Sequence, residues 1–306
     1  MKIHLDNVNL YSSSGPNSFA QRLFIEFLNQ GHDVVESGPE ADVSLVFIEP
    51  SGKPLAKRIV QRLDGIWFKP KEFEHKNANI KKLYGSAHAV VWQSMFDRDM
   101  TVKWWGMPSS GYIIRNGIQQ TTVTPSDALL DIRSKYEQIF VCAANWHPQK
   151  RLQANIKLFD DLRQKFYPKS CLIVLGNNPD CWVGQPVMYA GSRTDQECLQ
   201  IYSIADWMIH LAWLDHCPNV VVEALSQKLP VICTDSGGTR ELVYDYGVIL
   251  NEATPYNFEL ADYDNPPSID FTQITKPLPL RSELGEHLTI DIVQTAKRYI
   301  ELFENI

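Results

Sequence analysis

The segment DHCPNVVVEALSQKLPVICTDSGGTRE (215–241) is the most informative part of the sequence for the fold, because it combines a loop, a helix, a strand and the start of a second helix. Pro218 opens the helical part, where proline is favoured because the first N–H groups of a helix lack partners anyway. The apolar, β-branched run LPVICT predicts a buried parallel strand. Gly237 and Gly238 follow directly, so we expect a ligand to approach the backbone there.

Two helix N-termini are therefore predicted to face one crevice, each with unpaired N–H groups and a partial positive charge. Three carboxylates are expected to point into the same crevice, namely Asp215, Glu223 and Glu241. Carboxylates do not bind phosphate, but they accept hydrogen bonds from hydroxyl groups. A ligand with both phosphates and hydroxyls suits both features, so the stretch predicts a nucleotide-sugar site.

The same residues resemble the signature of the retaining GT-B glycosyltransferases of the large family four group, the glycosyl transferases group 1. In that family two acidic residues, separated by seven positions, are followed by Gly-x-Pro-Val and later by Gly-Gly and Glu. Here Asp215 stands where the family usually has Glu, and Lys228 stands where it has the first Gly. The resemblance covers residues 110–250 well and residues 1–110 loosely.

Strands that alternate with helices predict parallel sheets with right-handed crossovers, and the 306 residues suffice for two domains. The resemblance implies an α/β protein of the GT-B fold, with two Rossmann-like domains facing each other across a cleft. We expect an N-terminal acceptor domain at 1–120 and a C-terminal nucleotide-sugar donor domain at 121–285. The last helix, within 286–306, is expected to cross back to the first domain.

The segment AANWHPQKR (143–151) closes the first predicted strand of the second domain. The resembled family has an Arg at the position of Asn145 and a Lys at the position of Lys150, and both hold the donor diphosphate. Asn145 cannot supply a charge, whereas Lys150 keeps one. The neighbouring Arg151 is expected to compensate in part, because a guanidinium binds phosphate with two parallel hydrogen bonds.

Two turns of the first domain are further candidates. Gly15, in SSSGPNS, follows a predicted strand, and the resemblance implies that this loop lies near the donor phosphates or the acceptor; a simple Gly-Pro turn is the alternative. Asp64 precedes Gly65 where family members often carry a catalytic-site His. In that place Asp64 would face the transferred sugar, and a simple Asp-Gly turn is again the alternative.

The resemblance implies roles for the rest of the donor site. Asp215 is expected near the sugar as a catalytic residue, together with Lys150, while Glu223 is expected to accept hydrogen bonds from the ribose. Tyr189 lies where the nucleotide base would pack. Backbone groups would contact the base, so the side chains do not indicate whether it is uracil or guanine. The remaining predicted donor-binding residues surround the helix start, namely His216, Pro218, Asn219 and Val220.

These features predict a retaining glycosyltransferase that moves a sugar from a UDP- or GDP-sugar to a glycan, a lipid-linked acceptor or another hydroxyl. No DxD-like pair flanks a strand end, so we expect no metal and no cofactor besides the donor. Two alternatives stay open because Asn145 and Asp64 depart from the family pattern. One is a nucleotide-sugar-binding protein without turnover, and the other is a sugar-nucleotide epimerase on the same fold.

Charge and composition limit the partners. Residues 1–120 carry a net charge of +2 and the remainder −9, which argues against general nucleic-acid binding. No signal-peptide or membrane-spanning pattern is evident, and the six cysteines suggest free thiols, so we expect a cytoplasmic protein. The stretch WFKPKEFEHKNANIKK (67–82) is basic and aromatic. One interpretation is that this stretch docks on a membrane surface or on an anionic acceptor. The alternative is an ordinary solvent-exposed loop and helix face.

Overall fold

The computed structural model describes residues 1–12, 14–177, 186–286 and 290–306. The first part of the chain forms a six-stranded parallel sheet with the strand order β2-β1-β3-β4-β5-β6. Its elements are β1 (Lys2–Asp6), α1 (Gly15–Asn29), β2 (Asp33–Val35), β3 (Val43–Phe47), β4 (Arg58–Leu63), α2 (Phe73–Tyr84), β5 (Ala89–Trp92), α3 (Met95–Trp105) and β6 (Gly111–Ile113).

The second part of the chain forms another six-stranded parallel sheet, with the order β12-β11-β10-β7-β8-β9. Its elements, together with the last helix, are α4 (Asp127–Lys135), β7 (Gln138–Ala143), α5 (Leu152–Lys165), β8 (Ser170–Leu175), β9 (Val187–Gly191), α6 (Asp195–Ile204), β10 (Trp207–His210), α7 (Asn219–Ser226), β11 (Val231–Thr234), α8 (Thr239–Val243), β12 (Gly247–Leu250) and α9 (Ile292–Glu304).

Two parallel sheets covered by helices confirm the predicted fold class. Strands β7 and β8 are buried along almost their whole length, because helices cover both faces of a parallel sheet. This explains why they read as continuous apolar runs rather than as alternating patterns. The core of the second sheet accordingly divides into two clusters, one on each face.

The last helix, α9, packs against α1 of the first sheet, as expected. The ring centroids of Phe27 and Phe303 lie 6.1 Å apart, and those of Phe19 and Tyr299 lie 6.5 Å apart. All four rings are buried in one cluster with strands of the first sheet. The chain therefore ends in the core of the part in which it began.

A second contact between the two halves was not predicted. The segment 256–264, which we name the strap, follows β12, and its aperiodic sequence predicts only a surface loop. Its Tyr256, Phe258 and Tyr263 instead pack on residues of the first half, namely Phe68, which follows β4, and Phe96 of α3. An aperiodic segment gives no local pattern from which such packing could be predicted. Its aromatic content is the one feature that is consistent with burial.

Two general expectations concern the membrane and the thiols. No helix among the described residues is long and apolar enough to cross a membrane. No disulfide joins the five cysteines in the described ranges, and four of the five are buried. Cys181, the sixth, lies outside the described residues.

Candidate active site

A cavity of about 740 Å³ lies between the two sheets, where loops that follow strands of both sheets converge. Such a position beyond the carboxyl ends of parallel strands is where α/β folds bind ligands. Ten of the twelve predicted site residues line this cavity. They are Gly15, Asp64, Asn145, Lys150, Asp215, His216, Pro218, Asn219, Val220 and Glu223.

An ion pair occupies the second-sheet wall of the cavity. Lys150 Nζ contacts Asp215 Oδ2, and the same oxygen lies 3.3 Å from Nε2 of His210. Burial disfavours ionisation of Asp215, but the charge of Lys150 and the hydrogen bond from His210 outweigh it and hold the pKa of the carboxyl well below its usual range. Burial lowers the pKa of His210, although Asp215 opposes this. The arrangement therefore presents a fixed carboxylate beside a lysine.

The N-terminus of α7 opens onto the same wall. Pro218 caps the helix without a side-chain hydrogen bond. Within the described part of the chain, the N–H groups of Asn219 and Val220 donate to no acceptor. Because the helix dipole adds a partial positive charge at this end, these N–H groups suit an anionic ligand.

Glu223 lies one turn into α7 and lines the cavity, with 8% of its surface exposed. Its Oε1 accepts a hydrogen bond of 2.6 Å from Nη2 of Arg22, which projects from α1 across the cleft. Burial raises the pKa of Glu223, while the charge of Arg22 opposes that rise. A ribose that reached Glu223 would therefore meet a carboxylate that already holds a guanidinium.

A polar chain joins the first-sheet wall to the helix start. Arg62 is fully buried. Its Nη1 contacts Asp64 Oδ1, and its Nη2 donates to Asn116 Oδ1 at 2.7 Å. Asn116 donates to Asn219 at 2.8 Å, and Asn219 in turn donates to the carbonyl of Gly15 at 2.9 Å. The two halves of the cavity are thus held in register by side-chain amides.

Sequence reasoning missed Arg22, Arg62 and His210. None of the three stands in a distinctive motif. His210 lies only five residues before Asp215 and Arg62 only two before Asp64, but Arg62 and Arg22 also reach partners on distant elements. Arg22, for example, lies 201 residues from Glu223 in the chain.

His216 also lines the cavity and packs on the first half of the molecule. Its ring centroid lies 5.3 Å from that of Phe96, and its Nδ1 lies 3.7 Å from Oδ1 of the buried Asp97. Burial lowers the pKa of His216 to about 4, so the imidazole is neutral near pH 7. A Cβ added to Gly65, whose φ is +99°, would lie 2.3 Å from Nε2 of His216. Gly65 is therefore required by this close approach and not only by a turn.

The expected role of Arg151 does not fit the structure. Its guanidinium is buried and forms two hydrogen bonds with Glu252, of 2.7 and 3.0 Å, and a third with the carbonyl of Pro267. Arg151 does not line the cavity, unlike its neighbour Lys150. A guanidinium satisfied in this way cannot replace the charge missing at Asn145.

Tyr189 is the other predicted residue that does not line the cavity. Its hydroxyl donates to the carbonyl of Gly176, which does line it, together with Asn177. Tyr189 thus supports the loop after β8 rather than facing the cavity itself.

Glu241 was expected to point into the crevice, and this expectation is wrong. Its carboxylate accepts hydrogen bonds from the N–H groups of Met95 and Phe96, of 2.9 and 2.8 Å, and from Arg115 at 3.1 Å. Glu241 therefore caps the N-terminus of α3 across the interface. Carboxylates stabilise helix N-termini in this way.

The glycine pair after β11 has a packing role instead of the expected ligand contact. A Cβ on Gly237, whose φ is +80°, would lie 2.6 Å from the carbonyl oxygen of Asp215. A Cβ on Gly238 would lie 1.9 Å from the carbonyl oxygen of His216. The glycines let the loop of residues 215–218 lie directly on the β11–α8 turn.

Among the described residues, no group of three or more His, Cys, Asp or Glu side chains is arranged to hold a metal ion. Residues 131–256 match the model of a family described as "Glycosyl transferases group 1". The matched segment contains Lys150, Asp215 and Glu223. No curated protein matches this sequence significantly.

Solved structures with the same fold include several glycosyltransferases. Anabaena HepE in complex with UDP-glucose aligns with a TM-score of 0.71 at 14% identity, covering 100% of both chains. WaaG, a glycosyltransferase involved in lipopolysaccharide biosynthesis, aligns with a TM-score of 0.64 at 13% identity, covering 83% of this chain and 87% of its own. Sucrose-phosphate synthase from Thermosynechococcus elongatus aligns with a TM-score of 0.63 at 14% identity, with 86% and 87% covered. At these identities the likeness concerns the fold.

Proposed function

We propose that this chain belongs to the glycosyl transferases group 1 family and that the described cavity is its active site. The second-sheet wall of the cavity then binds the diphosphate of a nucleotide sugar. The chain is a retaining glycosyltransferase that uses a nucleotide-sugar donor. What carries the site assignment is that Lys150, the start of α7 and Glu223 all line one cavity. We retain the division into an acceptor domain (1–120), a donor domain (121–285) and a bracing segment (286–306).

Lys150 and the N-terminus of α7 stabilise the leaving diphosphate. Negative charge develops on the phosphate oxygen as the bond to the sugar breaks, and preorganised positive groups lower the barrier to that step. Lys150 supplies a full charge, and the free N–H groups of Asn219 and Val220 supply two hydrogen bonds. This set meets the charge requirement with protein groups, so we propose transfer without a metal.

Asp215 lies beside Lys150 and stays ionised. In this proposal it faces the sugar that is being transferred. A carboxylate near the anomeric carbon accepts hydrogen bonds from sugar hydroxyls and favours the positive charge that forms on the ring. His210 holds the carboxylate in place from the buried side. We therefore assign Asp215 a role in catalysis and His210 a positioning role.

Glu223 binds the ribose hydroxyls in this proposal, which requires Arg22 to share its carboxylate or to leave it. The carboxylate has four lone-pair positions, and Arg22 occupies one through Nη2. For the donor we favour UDP-glucose, the ligand named for the HepE complex, over a GDP-sugar. For the acceptor we propose a hydroxyl of a glycan or of a lipid-linked compound, and for the protein a cytoplasmic location with peripheral membrane contact through residues 67–82.

A thermal-shift screen tests the donor assignment. UDP, UDP-glucose, GDP and GDP-glucose are compared, because a ligand that binds only the folded state raises its melting temperature. At about a hundred times its Kd, a ligand adds about 2.7 kcal/mol to the free energy of unfolding. We expect a larger shift with UDP and UDP-glucose than with the guanine nucleotides, and slow release of UDP from UDP-glucose in water. A protein that binds none of the four and hydrolyses neither donor would contradict the proposed function.

A further inference from the structure

The wall of the cavity opposite the donor groups is formed by the first half of the chain. Lys150, Asp215 and Glu223 come from the second half, so the first-half wall is left for the acceptor, and this step rests on the function proposed above. Among the described residues of that wall, only Arg62 and Asp64 carry charge, and serine hydroxyls and side-chain amides supply most of the remaining polar groups.

Arg62 is not available to an anionic acceptor. Its side chain is fully buried, and its guanidinium lies over the rings of Phe19 and Phe47, with centroids at 4.6 and 4.9 Å. Both terminal nitrogens are engaged, one by Asp64 and the other by Asn116. The arginine therefore orients Asp64 and does not present a positive charge to the cavity.

Asp64 keeps one free oxygen. Its Oδ1 accepts from Arg62 and, at 2.6 Å, from Nε2 of Gln93, whereas its Oδ2 has no hydrogen-bond partner among the described residues. The side chain lines the cavity and is 18% exposed. A carboxylate pinned through one oxygen offers the other as an acceptor for a hydroxyl or an ammonium group.

The position of Asp64 relative to the donor supports the same point. Gly65 packs against His216, which follows Asp215 directly in the chain. Asp64 is thus held next to the loop that carries the residue we assign to the transferred sugar. A group bound by Asp64 Oδ2 would lie on the acceptor side of that sugar.

We propose that the acceptor is a neutral or amine-bearing polyol, and that Asp64 selects it by binding a hydroxyl or ammonium group and by repelling phosphate and carboxylate groups. The remaining cations of the cavity, Lys150 and Arg193, belong to the donor wall. An anionic acceptor would therefore meet a negative charge with no free cation beside it on the first-half wall, within the described residues. Selection by repulsion is a general way to reject a competing ligand.

The test compares three acceptors that differ in one group, namely glucose, glucosamine and glucose 6-phosphate, with UDP-glucose and GDP-glucose as donors. Release of nucleotide is measured against the rate in water alone. We expect glucose or glucosamine to be used with a kcat/KM about tenfold or more above that of glucose 6-phosphate, as for like charges at a partly exposed site. In Asp64→Asn we expect this gap to narrow by about tenfold, mainly through KM for the acceptor.

Asp99→Asn is the matched control, because Asp99 also pairs with an arginine in the first half but lies outside the cavity. It should leave the preference unchanged. Preference for glucose 6-phosphate, an unchanged gap in Asp64→Asn, or no response to any of the three sugars would overturn the acceptor assignment. These results differ from failure of the proposed function, which would appear as absence of nucleotide binding and of donor hydrolysis before any acceptor is added.

Discussion

Lys150 is the residue on which we expect donor binding to depend most, because it places a full positive charge beside the N-terminus of α7. We predict that Lys150→Ala weakens UDP binding about tenfold to a hundredfold, the loss expected for a hydrogen bond between charged groups. Titration calorimetry measures the Kd directly, which matters because the variant also removes the lysine partner of Asp215, leaves only His210 beside it, and lowers the stability of the free protein. The control is Lys157→Ala, which removes an exposed lysine of α5. Equal affinities of Lys150→Ala and wild type would remove Lys150 from the site.

Glu223 distinguishes ribose binding from a purely structural ion pair. Glu223→Gln keeps the size of the side chain but removes the charge, so we predict a donor KM about tenfold higher, as for loss of a hydrogen bond to a charged group. In Arg22→Ala the carboxylate is retained without its competitor, and the donor KM should change less or fall. Steady-state kinetics with both variants provide the measurement. An increase in KM in Arg22→Ala as large as that in Glu223→Gln would mean that the ion pair itself is what matters.

At this scale the sequence predicts positions better than partners. Lys150, Asp215 and Glu223 could be proposed because each stands at a strand end or a helix start and also matches a position in the signature of the resembled family. The fate of Arg151 could not, since its partner Glu252 lies 101 residues further along the chain. Glu241 failed for the same reason: its acidic character was visible, but the helix end that it caps belongs to the other half of the molecule.

At the scale of elements, α9 provides a test of how the end of the chain stabilises its beginning. Phe303 is fully buried between α9 and α1, so Phe303→Ala should lower the free energy of unfolding by about 3–5 kcal/mol. For a chain of this size we expect the melting temperature to fall by roughly 5–10 °C. Gln294→Ala, on the exposed face of the same helix, should change it little. A Phe303→Ala protein as stable as wild type would show that α9 is dispensable for the first half.

Helix α3 carries a buried carboxyl that predicts a pH dependence. Burial raises the pKa of Asp97 well above its usual value, and the neutral His216 beside it cannot offset the charge. The unfolded protein therefore loses this proton at a lower pH than the folded protein. As a result, the contribution of Asp97 to the free energy of unfolding falls as pH rises from about 4 towards the raised pKa. Asp97→Asn should abolish that fall.

Denaturant unfolding at several pH values between 5 and 8 measures this effect. The stability of Asp97→Asn relative to wild type should increase with pH, whereas the exposed Asp99→Asn should show no such trend. A constant difference between Asp97→Asn and wild type over this range would mean that Asp97 does not titrate there.

Elements with a clear period were predictable from the sequence, and aperiodic ones were not. The strand β11 follows from an apolar run, and the helix α7 follows from the proline at its start. The strap at 256–264 has no period, so its packing on Phe68 and Phe96 depends on tertiary contacts that local sequence does not encode. The second helix N-terminus that was predicted to face the crevice belongs to α8, whose five residues are too few to build an anion site.

For the whole molecule, the cavity is defined by contacts that join its two halves. Four features cross between the halves: the strap, α9, the cap formed by Glu241, and the hydrogen bond from Asn219 to Gly15. The second half is strongly acidic overall, yet an anionic diphosphate is proposed to bind there. Local geometry must therefore outweigh net charge, through Lys150 and the start of α7.

A crystal structure of the protein with bound UDP tests this claim most directly. We predict that diphosphate oxygens lie within hydrogen-bonding distance of Lys150 Nζ and of the N–H groups of Asn219 and Val220, and that a ribose hydroxyl contacts the carboxylate of Glu223. UDP bound outside this cavity, or with its phosphates on the wall formed by Arg62 and Asp64, would contradict the account.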